Sequence, residues 1–312
     1  MTERARTKIP TTDPFRITNH KSRITRRGSI DLAMLALVIV WGVNFPIVKI
    51  AFREMTPMVF NALRFGGATV LLLAVLWRAG EPVPPKAMWL RLVGLGLVGH
   101  AIYQVSFING LARTTAGNSS LILSMVPLFV AMLSAALRID RVAPRTWTGI
   151  VLALAGLLLL IMGRGSLRLS AATLAGDGLT LLCSLCWAVY TVFSRPFLQT
   201  MSPLQLTTLT MAAGAPPLLA ASVPQLLRQS WAAVSWQAWA ALAYSTVFSI
   251  AVGYVVWYAS VKAVGGPRTA VYSNLIPIVT LASSWLLLGE TLGPVQAAGA
   301  AVVLAGVSLA RT

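Results

Sequence analysis

Acidic residues are scarce in this chain. Eight Asp and Glu stand against 25 Lys and Arg in 312 residues, and charged residues of both signs make up only 11%. Eight scattered acids form neither an aspartate-rich metal motif nor a clustered acid–base centre, which argues against a membrane-embedded lipid-modifying enzyme. There are two His and two Cys. Cys183 and Cys186 share one apolar run, on adjacent helical turns, and read as soft packing residues, since zinc would need about four ligands and no His is near. No Gly-rich loop with Lys and Ser/Thr is present to cradle a nucleotide phosphate, which disfavours an ATP-driven pump. No catalytic residue, no metal and no cofactor is therefore expected.

Apolar residues are abundant, at 57% of the chain, with a mean hydropathy of +0.76. A soluble domain is about 45–50% apolar and about 25% charged. The excess is too large for one soluble core and fits a chain facing lipid. Lipid requires backbone groups to be paired within helices or around a closed barrel. The apolar runs lack two-residue alternation, so helices are expected. Ten spans can be placed, at 30–52, 57–77, 88–111, 116–137, 146–163, 173–195, 204–223, 237–261, 268–288 and 293–310.

The formal charge of +17 would raise nucleic-acid binding in a soluble protein. Here the basic residues sit in tails and short loops, so topology explains them first and no nucleic-acid partner is expected. With a cytosolic N-terminus, 18 Lys and Arg fall inside and 6 outside, with Arg64 left in the membrane. That predicts a multi-pass protein of the cell membrane with both termini cytoplasmic. Residues 1–28 are polar and basic, with Pro10 and Pro14, and read as an unstructured cytosolic tail.

Two halves of the sequence align without gaps over long stretches. At a spacing of 146, Asp31 meets Asp177, Trp41 meets Trp187, Lys49 meets Arg195, Met55 meets Met201 and Pro57 meets Pro203. At a spacing of 150, Pro127 meets Pro277, Asp140 meets Glu290, Pro144 meets Pro294 and Gly149 meets Gly299. Charges and prolines rarely agree in constant register by chance. Five spans per repeat is odd, so the second repeat enters the membrane from the other side. The expected fold is all-α, ten transmembrane helices in two inverted five-helix repeats, at 29–163 and 164–312. Inverted repeats are a recurrent plan of secondary transporters, because similar halves can exchange roles between outward-open and inward-open states.

The segment Trp41-Gly42-Val43-Asn44-Phe45, with Asn61-Ala62-Leu63-Arg64-Phe65, resembles the first half of EamA-type members of the drug/metabolite transporter superfamily. Ala116-Gly117-Asn118-Ser119-Ser120 through Val126-Pro127-Leu128-Phe129 is similar to the same family. So are Ser273-Asn274-Leu275-Ile276-Pro277 and Leu286-Leu287-Leu288-Gly289-Glu290. The resemblance implies ten helices, a central cavity shared by the repeats, alternating access, and metabolites or drugs as cargo, usually moved outward. Arg138-Ile139-Asp140 departs from the pattern that Leu288-Gly289-Glu290 keeps.

Charged groups deep in a bilayer are costly and therefore point to function. Arg64 sits a third of the way into its span; it reads either as a cation facing a cavity, or as a snorkelling arginine or a structural tie to a neighbouring helix. Asp31 and Asp177 read as helix caps near the starts of their spans, and Asp140 and Glu290 as interface caps. No carboxylate stands at a midplane, which disfavours cationic substrates and points to neutral or zwitterionic ones. His100, Tyr103, Gln104 and Phe107 share one helix face, as do Tyr254, Trp257 and Tyr258. Trp41 and Asn44 match Trp187 and Tyr190. Of these, Trp41, Asn44, His100, Tyr103, Gln104, Trp187, Tyr190, Tyr254 and Trp257, with Arg64 and Asn274, are the candidate cavity residues, and Pro46, Pro127 and Pro277 the candidate hinges. Glycine stripes at Gly149, Gly156, Gly299 and Gly306 suit close helix packing within the chain or at a homodimer face. The expected partners are a small-molecule substrate and membrane lipid. The reading is a secondary carrier exporting small metabolites, with an exporter specific for amino acids or their derivatives as the alternative.

Overall fold

Lipid leaves a spanning backbone nothing to bond but itself, and the apolar runs answer with helices. The computed structural model describes residues 14–114, 116–162, 171–288 and 293–311, and no strand occurs among them. Helix α1 is Pro14–Ala51 and α2 is Pro57–Ala79. Helix α3, Lys86–Gly96, runs through a π-helical stretch, Leu97–Ile102, into α4, Tyr103–Arg113. Next come α5, Ala116–Leu123, α6, Val126–Ala136, and α7, Pro144–Met162. The second half opens with α8, Ala171–Phe197, and α9, Pro203–Leu226. Helix α10, Trp236–Tyr244, continues through a second π stretch, Ser245–Val252, into α11, Gly253–Val264. A short α12, Gly266–Ala270, and a 3-10 stretch, Val271–Leu275, lead into α13, Ile276–Leu288, and α14, Pro294–Arg311, ends the described chain. Seven of the helical segments are long and apolar enough to cross a membrane, and Val126–Ala136 and Ala297–Ala310 are shorter apolar helices.

Burial differs from that of a soluble protein, because large apolar side chains lie on the outside as well as in the core. Leu32, Val70, Trp77, Leu90 and Leu286 are exposed, while Asn44, Asn61, Arg64, His100 and Gln104 are buried. Apolar side chains outside and polar ones inside suit a helical bundle in lipid enclosing a polar centre.

Several expectations change. The tail expected to be unstructured through residue 28 is helical from Pro14. Pro14 fits a first helical position, and the long apolar span nucleates the helix, so the polar residues only extend it. Asp31 therefore lies inside α1 rather than at its start; its carboxylate accepts a hydrogen bond from the Tyr272 hydroxyl. Asp177 likewise lies within α8 rather than at its start. Pro127 and Pro277 do not kink continuous helices. Each is the second residue of a new helix, after a turn at residues 124–125 and after the 3-10 stretch respectively. A proline there loses no bond, because the first turn's N–H groups have no helical acceptor. Pro46 does sit inside α1.

The glycine stripes are used within the chain. A Cβ on Gly149 would lie 2.5 Å from the Gly306 carbonyl oxygen, and one on Gly156 would lie 2.8 Å from that of Gly299. α7 and α14 thus meet backbone to backbone, and the stripes are not a free dimer face.

Polar ties join the ends of the bundle. Lys49 Nζ donates to the Thr114 carbonyl at 2.7 Å. Its match Arg195 donates to the carbonyls of Val261 and Lys262, at 2.9 and 2.7 Å, and pairs with Asp140 at 3.3 Å. Asp140 also accepts the Gly266 N–H at 3.1 Å, so it caps α12 rather than its own helix. Glu290 lies outside the described residues. Ser202 and Ser235, the N-caps of α9 and α10, donate their hydroxyls to Glu81 and Glu54.

Candidate functional site

The polar centre opens into a small cavity of about 60 Å³. α1 supplies Trp41, Asn44 and Phe45, α2 supplies Arg64, and α4 supplies Tyr103, Gln104 and Phe107. From the other half come Trp187 on α8, Ser249 and Ile250 on the second π stretch, and Tyr254 on α11. Ser273 and Ile276 line it beside the start of α13, and Leu123 and Val126 close it at the break between α5 and α6.

Arg64 is only 2% exposed and is the one charged group among the described lining residues. Its Nε donates to Asn61 Oδ1 at 3.0 Å, Nη1 to Ser245 Oγ at 3.2 Å, and Nη2 to Gln104 Oε1 at 2.8 Å. The guanidinium carbon lies 5.6 Å from the centre of the Phe60 ring and 5.3 Å from that of Phe107. Rings and neutral acceptors hold the cation in place. Asn61 also donates to the Gln104 carbonyl at 3.2 Å, and Gln104 Nε2 to the Tyr254 hydroxyl at 2.7 Å. These bonds fix the guanidinium against the wall and rule out a snorkelling arginine.

Residues matched by the repeat register meet across this centre. Gln104 bonds to its match Tyr254. Trp41 packs edge-on against its match Trp187, with centroids 5.9 Å apart. The Trp41 indole N–H donates to the Ser249 carbonyl at 2.8 Å, inside the second π stretch. Gly253 permits that approach, since a Cβ there would lie 2.8 Å from the indole nitrogen. The aromatic wall continues through Tyr103 and Tyr254, each 5.0 Å from Trp187.

Seven expected residues thus line one cavity: Trp41, Asn44, Arg64, Tyr103, Gln104, Trp187 and Tyr254. Four do not. Trp257 stands behind the wall, its ring 5.3 Å from Trp41 and its N–H on Thr191 Oγ1 at 3.3 Å. His100 lies behind Tyr254, stacked at 5.6 Å, with Nε2 at 3.1 Å from both Tyr190 Oη and Thr210 Oγ1. Tyr190 completes that buried cluster, beside Gly99, where any side chain would enter its ring. Asn274 is fully buried next to Ser273, with no bond to its side-chain amide among the described residues. Helical spacing puts His100 and Trp257 on inward faces, the repeat register adds Tyr190, and Asn274 is picked out by its place before Pro277; none of these signals separates the cavity surface from the layer behind it.

Sequence reasoning missed Asn61 and Ser245, which hold Arg64, and Ser249, which lines the cavity. Asn61 stands one helical turn before Arg64, a spacing that could have revealed the pair. The π stretches left no mark in the apolar pattern. They occupy matched positions, Leu97 with Val247 and Ile102 with Val252, and π stretches often occur at functional sites.

Among the described residues no group of three or more His, Cys, Asp and Glu could hold a metal ion. The model of the EamA-like transporter family matches residues 28–162 and again 174–312. The chain is 30% identical to a protein of Salmonella typhimurium named "Probable amino-acid metabolite efflux pump", covering 87% of this chain and 91% of that one. It is 28% identical to an uncharacterized transporter of Bacillus subtilis, YyaM, over 89% and 92% of the two chains. A solved structure titled only "Crystal structure of protein" superposes with a TM-score of 0.72 at 20% identity, covering 91% of this chain and 96% of that one, and shares the fold. A membrane-spanning helical bundle around an aromatic-walled cavity, matched by the family twice along its length, this chain belongs to the EamA-like transporter family.

Proposed function

We propose that this protein is an alternating-access secondary carrier that exports small, carboxylate-bearing metabolites across the cell membrane. In this reading ten helices form two inverted units, residues 29–163 and 164–312, with both termini in the cytoplasm. The observation that carries it is the cavity itself, walled by both halves, with matched residues meeting at its centre in the pairs Gln104–Tyr254 and Trp41–Trp187. Contact between matched residues is what a two-fold relation between the halves produces near its axis. The contacts of Gly149 with Gly306 and of Gly156 with Gly299 follow the same relation. Two such halves can rock about a fixed site and expose it to each side in turn.

Arg64 supplies the anchor for a carboxylate, and the surrounding rings suit a partly apolar body. The relative named as an amino-acid metabolite efflux pump favours a second reading, an exporter of amino acids or their derivatives. A lipid-modifying enzyme is disfavoured because no carboxylate lines the cavity among the described residues.

Counterflow in liposomes tests the carrier reading. Purified protein should give saturable exchange of a labelled metabolite carboxylate, and no exchange of any solute in a broad panel would sink it. Cysteines placed at Arg141 and Arg228, read against the two buried native cysteines, should be labelled from opposite sides. Labelling of both from one side would remove the inverted arrangement.

A further inference from the structure

We infer that the cargo carries one net negative charge: an aromatic monocarboxylate without a free ammonium group, bearing a hydroxyl or N–H donor. This rests on the carrier reading and narrows its substrate class. The absence of a midplane acid disfavours cations; it does not by itself favour neutral solutes over anions. The structure adds the missing term, because the three side chains that bond Arg64 are all neutral. Every described acid is held elsewhere or lies off the cavity: Asp31 by Tyr272, Glu54 by Ser235, Glu81 by Ser202 and Asp140 by Arg195, while Asp177 is not a lining residue.

A buried guanidinium without a counter-ion is costly, and a carboxylate is its best-fitting partner. Its five N–H groups exceed the three bonds it makes within the protein, so donors remain for such a ligand. An α-amino acid would bring its ammonium close to the same guanidinium, with no lining acid to receive it. A monoanion balances the site; a zwitterion leaves it positive.

The rest of the ligand follows from the walls. Trp41, Tyr103, Trp187 and Tyr254 present rings to the cavity, which favours a flat aromatic body. Asn44 lines the cavity with its side-chain carbonyl buried and unbonded among the described residues. That acceptor lacks a donor, and a ring hydroxyl or N–H on the cargo would supply one.

Four solutes with one skeleton provide the test: 4-hydroxyphenylacetate, its uncharged amide, tyrosine and tyramine, measured in liposome counterflow at neutral pH against protein-free vesicles. The acid should exchange about tenfold or more faster than the amide and tyramine, and clearly faster than tyrosine. Removing the ring hydroxyl, as phenylacetate, should weaken apparent affinity about fivefold, and in Asn44→Leu that difference should vanish. Arg64→Gln should abolish the preference for acid over amide, and Arg64→Lys should keep part of it. A purely structural Arg64 would depress all solutes equally and leave their ratios unchanged, which would overturn the assignment. Should Arg64→Gln fail to fold, the wild-type ratios still decide. Tyrosine carried as fast as the acid overturns the inference and leaves the carrier reading intact. Exchange of an unrelated solute with none of these four does the same, and no exchange of anything sinks both.

Discussion

Arg64 on α2 and Thr210 on α9 occupy the same place in their halves, 146 positions apart, yet they build opposite environments. Arg64 reaches inward, bonds Ser245 at the start of the second π stretch, and lines the cavity. Thr210 is short. It bonds His100 in the first π stretch, and Tyr190 closes the cluster from α8. His100 fills the room that the threonine leaves, whereas its own match, Ile250, offers Arg64 only an apolar neighbour on the cavity wall. The long polar side chain comes from the span in one half and from the π stretch in the other. The two matched positions are thus unequal: one holds a buried cation on the cavity wall, the other a solid, hydrogen-bonded packing cluster.

Breaking the charged side should have the largest effect on transport. Arg64→Gln is expected to slow carboxylate exchange about 10–100-fold, as loss of a charge-assisted bond of about 1.5–3 kcal/mol implies. Labelled-acid counterflow normalised to folded protein measures it. Equal exchange in the variant would mean that both sides are merely structural.

Thr210→Val tests the other side and should act on stability instead. It removes the hydroxyl bonds to His100 and Tyr190 and leaves these two their bond to each other. The expected loss is about 0.5–2 kcal/mol, seen as a Tm lower by a few degrees in detergent. The ratio of acid to amide exchange should not change. A shifted ratio would place the His100 cluster in the solute path.

The difference between these two sides was only half legible in the sequence. Arg64 stood out because a charge inside an apolar run is conspicuous, and Trp41, Gln104 and Tyr254 because polar and aromatic residues recurred at helical spacing. Periodicity gives a face but not a depth, so His100 and Trp257 were placed on the cavity although they lie behind its wall, and the repeat register for Tyr190 and the nearby proline for Asn274 are equally silent on depth. The partners of Arg64 come from residues 61, 104 and 245, and no local pattern announces a contact across 181 positions. The all-helical fold was legible because lipid permits so little else. The helix breaks before Pro127 and Pro277 were read as kinks, since proline chemistry alone does not say whether the helix bends or restarts.

The end ties sharpen the comparison at smaller amplitude. Arg195 serves two carbonyls and Asp140, while its match Lys49 serves one carbonyl. Arg195→Ala should therefore cost more stability than Lys49→Ala, about 1–2 against about 0.5–1 kcal/mol. Asp140→Asn should lower the cost of Arg195→Ala, which a double-mutant cycle by thermal unfolding would detect. Equal costs for Lys49 and Arg195 would make the two ends equivalent.

The smallest effect is expected at the tie between Glu54 and Ser235. The Glu54 carboxylate accepts the Ser235 backbone N–H at 2.7 Å and its hydroxyl at 2.9 Å. The backbone bond first, then the side-chain bond, holds the carboxyl below its ordinary value of 4.5. A depressed folded value means that the charged form favours the native state, so the stabilisation is present above the ordinary carboxyl range. It is lost as pH falls through the lowered value. The group is fully exposed, so screening keeps the contribution small. Glu54→Gln should lower Tm by no more than about 2 °C at pH 7, and wild type and variant should converge below pH 4.5. A gap that persisted in acid would mean that shape, and not charge, makes this tie.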